Sequence, residues 1–337
     1  MMTPHRGFGG TVVRVSTSFI VLFGLTVYAG PIPIEEQAHA ARPAPVVEFA
    51  VPHDVPQLVG PGVRALAAFS GQALPVPDSE TLLHEYRRLG YRLADVRRDD
   101  YAVPRVFLTQ LPKDLPGIEP VQLRKSLFIR SILPLILRTN EEILADRARI
   151  EVLRDRLRND QPLSAADTHW LERLAESYDL DRRDLGALLH RHDVVPVGLA
   201  LAQAIQESGW GTSRFALHGN AVFGQWTFEK GAGLVPRDRD EGATHEVKAF
   251  DTLADSVHQY VRNLNSHRAY REFRKARDRM RAKGQPLDSQ LLARTMTRYS
   301  ERGDAYVDSI VNLMRSNELH LLDRARLRDL AGEVLDS

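Results

Sequence analysis

The chain has 337 residues, 43% hydrophobic and 26% charged, enough for two ordinary domains of soluble globular composition. A net charge of +1 argues against strong general attraction to nucleic acid or to an acidic membrane surface. The absence of cysteine excludes disulfides, thiolate zinc sites and cysteine nucleophiles.

In chain order, His5, Arg6 and Arg14 precede an apolar run from Phe19 to Ala29, followed by Gly30-Pro31 and Ala38-His39-Ala40. A basic flank, a short apolar core and an A-x-A site predict a signal peptide over 1–40 and residence in the periplasm. The run falls short of the about 20 residues of a transmembrane helix, which favours cleavage after Ala40 over an uncleaved inner-membrane anchor. Residues 41–77 are dense in proline, alanine and glycine and read as a flexible linker.

An N-terminal helical region is expected over 78–193. Leu82, Leu83, Tyr86 and Leu89 recur at helical spacing before Gly90. The stretch VPRVFLTQLP is β-prone and ends in proline punctuation. After Pro120 a long helix runs to about Arg158, with Leu127, Ile132, Ile136, Ile143, Leu144, Ile150 and Leu153 along one stripe and a kink expected at Pro134. Ser164, with Asp167 three residues on, caps the next helix, and Asp181 or Asp184 a third.

The helix after Pro196 reads PVGLALAQAIQESGWG, apolar on nearly every side, and so belongs in the core. Glu207 falls in its last turn, before the Gly209 terminator. There it faces the negative end of the helix dipole, which costs about 0.3–1 kcal/mol, and burial adds a penalty of the same sign. Both raise its pKa, as a glycosidase acid requires, although a glutamate pointing outward from a helix end fits the residues equally well. From His218 to Phe250 the helical period lapses, and Ala221–Phe228 and His245–Phe250 suggest a small β-hairpin lobe. Helices resume near Leu253. HRAYREFRKARDRMRAKG, from His267 to Gly284, reads as a solvated helix face rather than a binding patch. His190-x-His192 and His245-Glu246 are too short and isolated for a metal site.

The segment ALAQAIQESGWGTSRFALHGNAVFGQW resembles the catalytic motif of the bacterial glucosaminidase family, glycoside hydrolase family 73, most closely its Bax-type members. The likeness extends over roughly Tyr101 to Ser316, through GLVPRDRDEGATHEVKAF, LNSHRAYREFR and RYSERGDAYV. It implies a mainly α (α+β), lysozyme-like fold: a helical lobe with a small β-hairpin lobe, here over 194–320, followed by a tail over 321–337. It implies hydrolysis of the β-1,4 bond on the reducing side of N-acetylglucosamine in peptidoglycan glycan strands, with no metal or other cofactor. By position, Glu207 matches the general acid and Tyr299 a tyrosine closing the groove near the reacting sugar. Trp226, Trp210 and Phe223 are candidate sugar-stacking faces and Asn220 a substrate-positioning residue, each also readable as core or turn. A second carboxylate is expected on the β lobe, Glu241 ahead of Glu246, with Asp240, the substrate's own N-acetyl group or a distant inverting carboxylate as alternatives. Two rival functions remain at this stage: a lytic transglycosylase, against which FGQW stands where those enzymes carry a GLMQ-like stretch, and a silent wall-binding protein. The region 78–193 carries no readable chemistry and is expected to brace the catalytic lobe or dock a cell-envelope protein.

Overall fold

The computed structural model describes residues 76–236, 239 and 244–329. The expected signal peptide, nearly all of the linker, Asp240, Glu241 and the end of the tail lie outside them. Among the described residues no helix is long and apolar enough to cross a membrane.

Helix α1 spans Ser79–Arg88, started by the Asp78 side chain accepting from the Thr81 N–H, and buries Leu82, Leu83 and Tyr86. A short α2, Leu93–Arg97, follows. The β-prone stretch after it forms no strand. Pro104 and Pro112 remove ladder donors, and only Val103 pairs, in a parallel bridge to Leu327. Helix α3 then runs unbroken over Val121–Arg158 with Pro134 inside it. Pro134 cannot donate to the Arg130 carbonyl, and the Tyr86 hydroxyl from α1 donates to it instead at 3.4 Å. Leu144 departs from the expected stripe, standing 47% exposed.

Helix α4, Ala165–Glu176, is capped by Ser164, and α5, Leu185–Arg191, by Asp184 rather than Asp181. Their apolar faces close on α3 around Ile150, Leu153, Leu171, Tyr178, Leu185 and Leu188, a small satellite core. The main core is continuous from Leu82 to Leu327 and crosses position 193 without a break. Helices α1 to α3 and the C-terminal lobe therefore share one apolar interior.

At the centre lies α6, Val197–Ser208, whose residues 197–205 are all buried. Helix α7, Arg214–Gly219, leads into a sheet of three strands: β1 (Trp226–Thr227), β2 (Gly233–Leu234) and the central β3 (Glu246–Lys248). Both pairings are antiparallel, with Trp226 opposite Val247 and Gly233 opposite Lys248. The lobe is thus a hairpin plus a third, glycine-bearing strand that no β-propensity announces. Helices α8 (Leu253–Ser266), α9 (Arg271–Ala282), α10 (Ser289–Ala293) and α11 (Asp304–Ser316) complete the helical lobe.

Helix α9 corrects the expectation of a solvated arginine face. Arg274 and Arg277 are buried, Arg277 completely. The Arg277 guanidinium donates to the carbonyls of Asp193 (3.1 Å) and Val194 (2.9 Å) and to Asn265 Oδ1 (2.8 Å). Arg281 grips both carboxylate oxygens of Asp193, at 2.7 and 2.8 Å, and Arg147 stands 3.4 Å away. Three cations on two helices thereby fasten the loop that enters α6. For Arg277 and Arg281 the partner, Asp193, lies more than 80 residues away in sequence, where local charge patterning has no reach.

Candidate active site

Glu207 occupies the last turn of α6, and the backbone beyond it explains the ESGWG sequence. Gly209, Trp210 and Gly211 all have positive φ, at 58°, 63° and 76°. At Gly211 a Cβ would stand 2.6 Å from Phe128 and 2.7 Å from Leu111, so only glycine fits. Ser208 staples the turn, its Oγ accepting from the Gly211 N–H at 2.8 Å and donating to the Ala204 carbonyl at 2.6 Å. The turn ends the helix while the Glu207 side chain is still held against the core.

Glu207 is half-buried as a residue, with its carboxyl turned into the protein. Burial pushes its pKa up to about 8, against opposing pulls from the Tyr306 hydroxyl and the charge of Arg302. Tyr306, on α11, donates to Oε1 at 2.9 Å. Behind it, Gln203 Nε2 donates to the Tyr306 hydroxyl at 3.0 Å, and the Tyr260 hydroxyl donates to Gln203 Oε1 at 2.6 Å. The two lengths fit an O–H···O and an N–H···O bond respectively, which fixes the amide's orientation. Because the Tyr306 oxygen accepts from Gln203, its own proton is turned toward Glu207 Oε1. A neutral Glu207 must then carry its proton on Oε2, which has no partner among the described residues and is not sealed from solvent. The arrangement presents an acidic proton outward and can protonate an oxygen brought to it.

The other candidates fall in distinct places. Tyr299 is fully buried, stacked 5.4 Å behind Tyr306 with its hydroxyl on the Phe223 carbonyl at 3.4 Å. It backs the ring that touches Glu207 rather than facing a groove itself. Phe223 is a core residue, stacked on Tyr260 at 3.9 Å. Asn220 closes α7 in the left-handed region, and its amide donates to the carbonyls of Phe250 and Asp251, both at 3.0 Å. Trp210 is half-buried, edge-on to Phe128 with Lys125 Nζ 4.7 Å from its ring. Trp226 is half-buried on β1 and stacked on the His245 ring at 4.0 Å. Glu246 points into the β lobe, where its carboxylate accepts from the N–H groups of Gly231 (3.1 Å) and Gly233 (3.0 Å). Glu241 lies outside the described residues. Among those described, no group of acidic or histidine side chains could hold a metal ion. His190 instead pairs with Asp278, and His192 lies between Tyr178 and Asp146.

Tyr306, Gln203 and Tyr260 are not among the residues predicted from the sequence. One signal was present: Gln203 precedes Glu207 by four residues and so shares its helix face. The tyrosines come from separate helices and carry no local mark.

A helical lobe, a small antiparallel β lobe and a proton-bearing carboxyl at the end of a buried helix define the class, a mainly α lysozyme-like fold. Residues 184–319 match the family model of mannosyl-glycoprotein endo-beta-N-acetylglucosaminidase. The chain is also 29% identical to Protein bax of Escherichia coli (strain K12) over 201 residues, which are 58% of this chain and 70% of that protein. This part of the chain is therefore a glucosaminidase-family domain of the Bax type. No solved structure gives a significant match.

Proposed function

We propose that the chain is a peptidoglycan hydrolase, an endo-β-N-acetylglucosaminidase cutting the β-1,4 bond on the reducing side of N-acetylglucosamine with Glu207 as general acid. The observation that carries this reading is the neutral Glu207 carboxyl, its pKa pushed up to about 8 and its Oε2 free to donate. In the reaction the Oε2 proton passes to the glycosidic oxygen as the bond from that oxygen to the anomeric carbon breaks. Water completes the hydrolysis. Glu241 is the proposed second carboxylate, because Glu246 is already engaged by two backbone N–H groups. Export through residues 1–40 belongs to the same proposal, and a mature N-terminus at Ala41 tests it.

Digestion of purified sacculi followed by mass spectrometry of the fragments tests the activity. Reducing N-acetylglucosamine ends are expected. Anhydro-muramic ends would instead mean a transglycosylase, and intact glycan a wall-binding protein.

A further inference from the structure

A cavity of about 380 Å³ lies between α2 and the first turns of α3, and the reaction proposed above makes no use of it. Arg92 and Arg97 line it on one side and Lys125 and Arg130 on the other, with Tyr91 and Ser126 between them. No aspartate or glutamate is among its lining residues.

Arg130 is the anomaly. It is only 7% exposed, yet no carboxylate pairs with it among the described residues. Its Nε and Nη1 reach the carbonyls of Ser126 and Tyr91 at 3.3 and 3.4 Å, longer than well-formed bonds of this kind. The Tyr86 ring, 5.0 Å away, offers a cation–π contact. Nη2 makes no hydrogen bond among the described residues and is not sealed from solvent. A cation this deeply buried is ordinarily paired, because desolvation without a counter-ion is costly. Of the neighbouring cations, Arg92 is paired with Asp95 at 2.6 Å, whereas Lys125 shares the deficit. Lys125 has no acidic partner among the described residues, touching only the Trp210 face. Arg97 meets Glu318 at 3.5 Å and donates to the Asn317 carbonyl at 2.9 Å, while its buried Nε and the buried Tyr91 hydroxyl have no partner among the described residues.

We propose that this cavity is an oxyanion-binding site, taking a carboxylate or phosphate group between Arg130 Nη2, Lys125 and Arg97. Several cations in a concave, partly desolvated surface focus a positive potential. The guanidinium fork matches the paired oxygens of either group. An anion seated there supplies the counter-charge that Arg130 lacks. The two sources of such a group are a free inorganic ion and an acidic peptide, such as the peptide stems of a wall polymer.

Calorimetric titration of the full chain with inorganic phosphate, and separately with N-acetyl-L-alanyl-D-glutamate, tests the site. At least one probe is expected to bind, more weakly as salt is raised from about 50 to about 200 mM. Tighter binding of phosphate points to the free ion, and tighter binding of the dipeptide to the acidic peptide. Lys125→Gln and Arg130→Gln should each weaken binding by roughly ten-fold or more. Arg130→Lys, which keeps the charge and loses the fork, should fall between them and the parent. Lys125 is half-buried, so Lys125→Gln decides the matter even where Arg130→Gln does not fold. The proposal is overturned by no binding of either probe, or by parental affinity in Lys125→Gln. Binding is read directly, so the result stands apart from whether the chain cleaves glycan.

Discussion

Two carboxyl groups lie near opposite ends of α6, and the protein treats them in opposite ways. Asp193, at the entrance, is buried, which alone would raise its pKa. The Arg281 hydrogen bonds and the charges of Arg277 and Arg147 more than offset that, and the carboxyl stays ionised below its ordinary range. Glu207, at the exit, has a single hydroxyl donor and a more distant arginine, and burial prevails. The difference lies in what surrounds each carboxyl. Three guanidiniums make a clamp, whereas one tyrosine leaves a carboxyl neutral at physiological pH with one oxygen open. The entrance fixes the helix so that the exit can hold an uncompensated acid in place.

The largest expected effect comes from abolishing the acid. Glu207→Gln keeps the side-chain shape and the Tyr306 bond but carries no transferable proton, so hydrolysis of sacculi should fall by about 10²–10⁴-fold or more. Stability should move the other way. The folded pKa of about 8 lies above the ordinary value of 4.5, so the folded state holds a proton that the unfolded chain releases between them. The parent therefore loses stability as pH rises through that window, and the variant does not. Thermal melting should show no gain for Glu207→Gln at pH below about 4.5 and a growing gain up to about pH 8, roughly 2–4 °C for each kcal/mol relieved. A parental rate of release of reducing N-acetylglucosamine ends would defeat the assignment of Glu207.

At the other end the expectation reverses. Arg277→Met removes a charge 3.5 Å from the buried Asp193 carboxylate and the donor to several carbonyls and to Asn265, and should cost about 3–5 kcal/mol. The remaining folded enzyme should keep the parental pH profile, because Arg277 does not touch Glu207. A pH profile shifted as strongly as the melting temperature would erase the distinction between the two ends.

A smaller effect is expected on the β lobe. Glu246→Gln replaces charge-assisted bonds to Gly231 and Gly233 with weaker ones, at about 1–3 kcal/mol. Its activity should fall mainly through KM, with faster hydrogen exchange confined to the lobe. Glu241→Gln, on the proposed catalytic helper, should instead lower kcat with the lobe's exchange unchanged. Parental activity in both variants and in their combination would favour attack by the substrate's own N-acetyl group.

The sequence made the helical framework and the position of Glu207 legible because both rest on local physics. Ser164 and Asp184 cap as their types prefer, the apolar run of α6 buries itself, and Gly209 ends it just past Glu207. What stayed hidden depends on distant partners. Arg277 looks like any surface arginine until Asp193 meets it, and Leu144 fits the stripe by spacing yet faces outward. Asn220 and Phe223 sit in the motif with the closest resemblance, yet their contacts knit the backbone and core around the site. Tyr306 and Tyr260 reach the carboxyl only through tertiary packing.

The finest test concerns that tyrosine. Tyr306 donates to Glu207 Oε1 in both protonation states, but the bond is stronger to the charged form, so it lowers the Glu207 pKa against the larger upward push of burial. The alkaline limb of kcat/KM, where Glu207 loses its proton, is expected near pH 8 in the parent. Tyr306→Phe removes the donor and should carry that limb upward by about one pH unit, equivalent to 1.4 kcal/mol of differential stabilisation. The groups facing the carboxyl from the surrounding helices and loop are Tyr260, Tyr270, Tyr299 and Arg302, and none is altered by the change. Gln203→Glu makes the complementary perturbation. A carboxylate at 203 accepts from Tyr306 as well as Tyr260, which turns the Tyr306 proton away from Glu207 and draws the Glu207 proton onto Oε1. The limb should again rise, and kcat should also drop because Oε2 no longer carries the proton. If Tyr306 were only filling space, Tyr306→Phe would leave the limb where it was, and a pH–rate profile of the two variants beside the parent separates these outcomes.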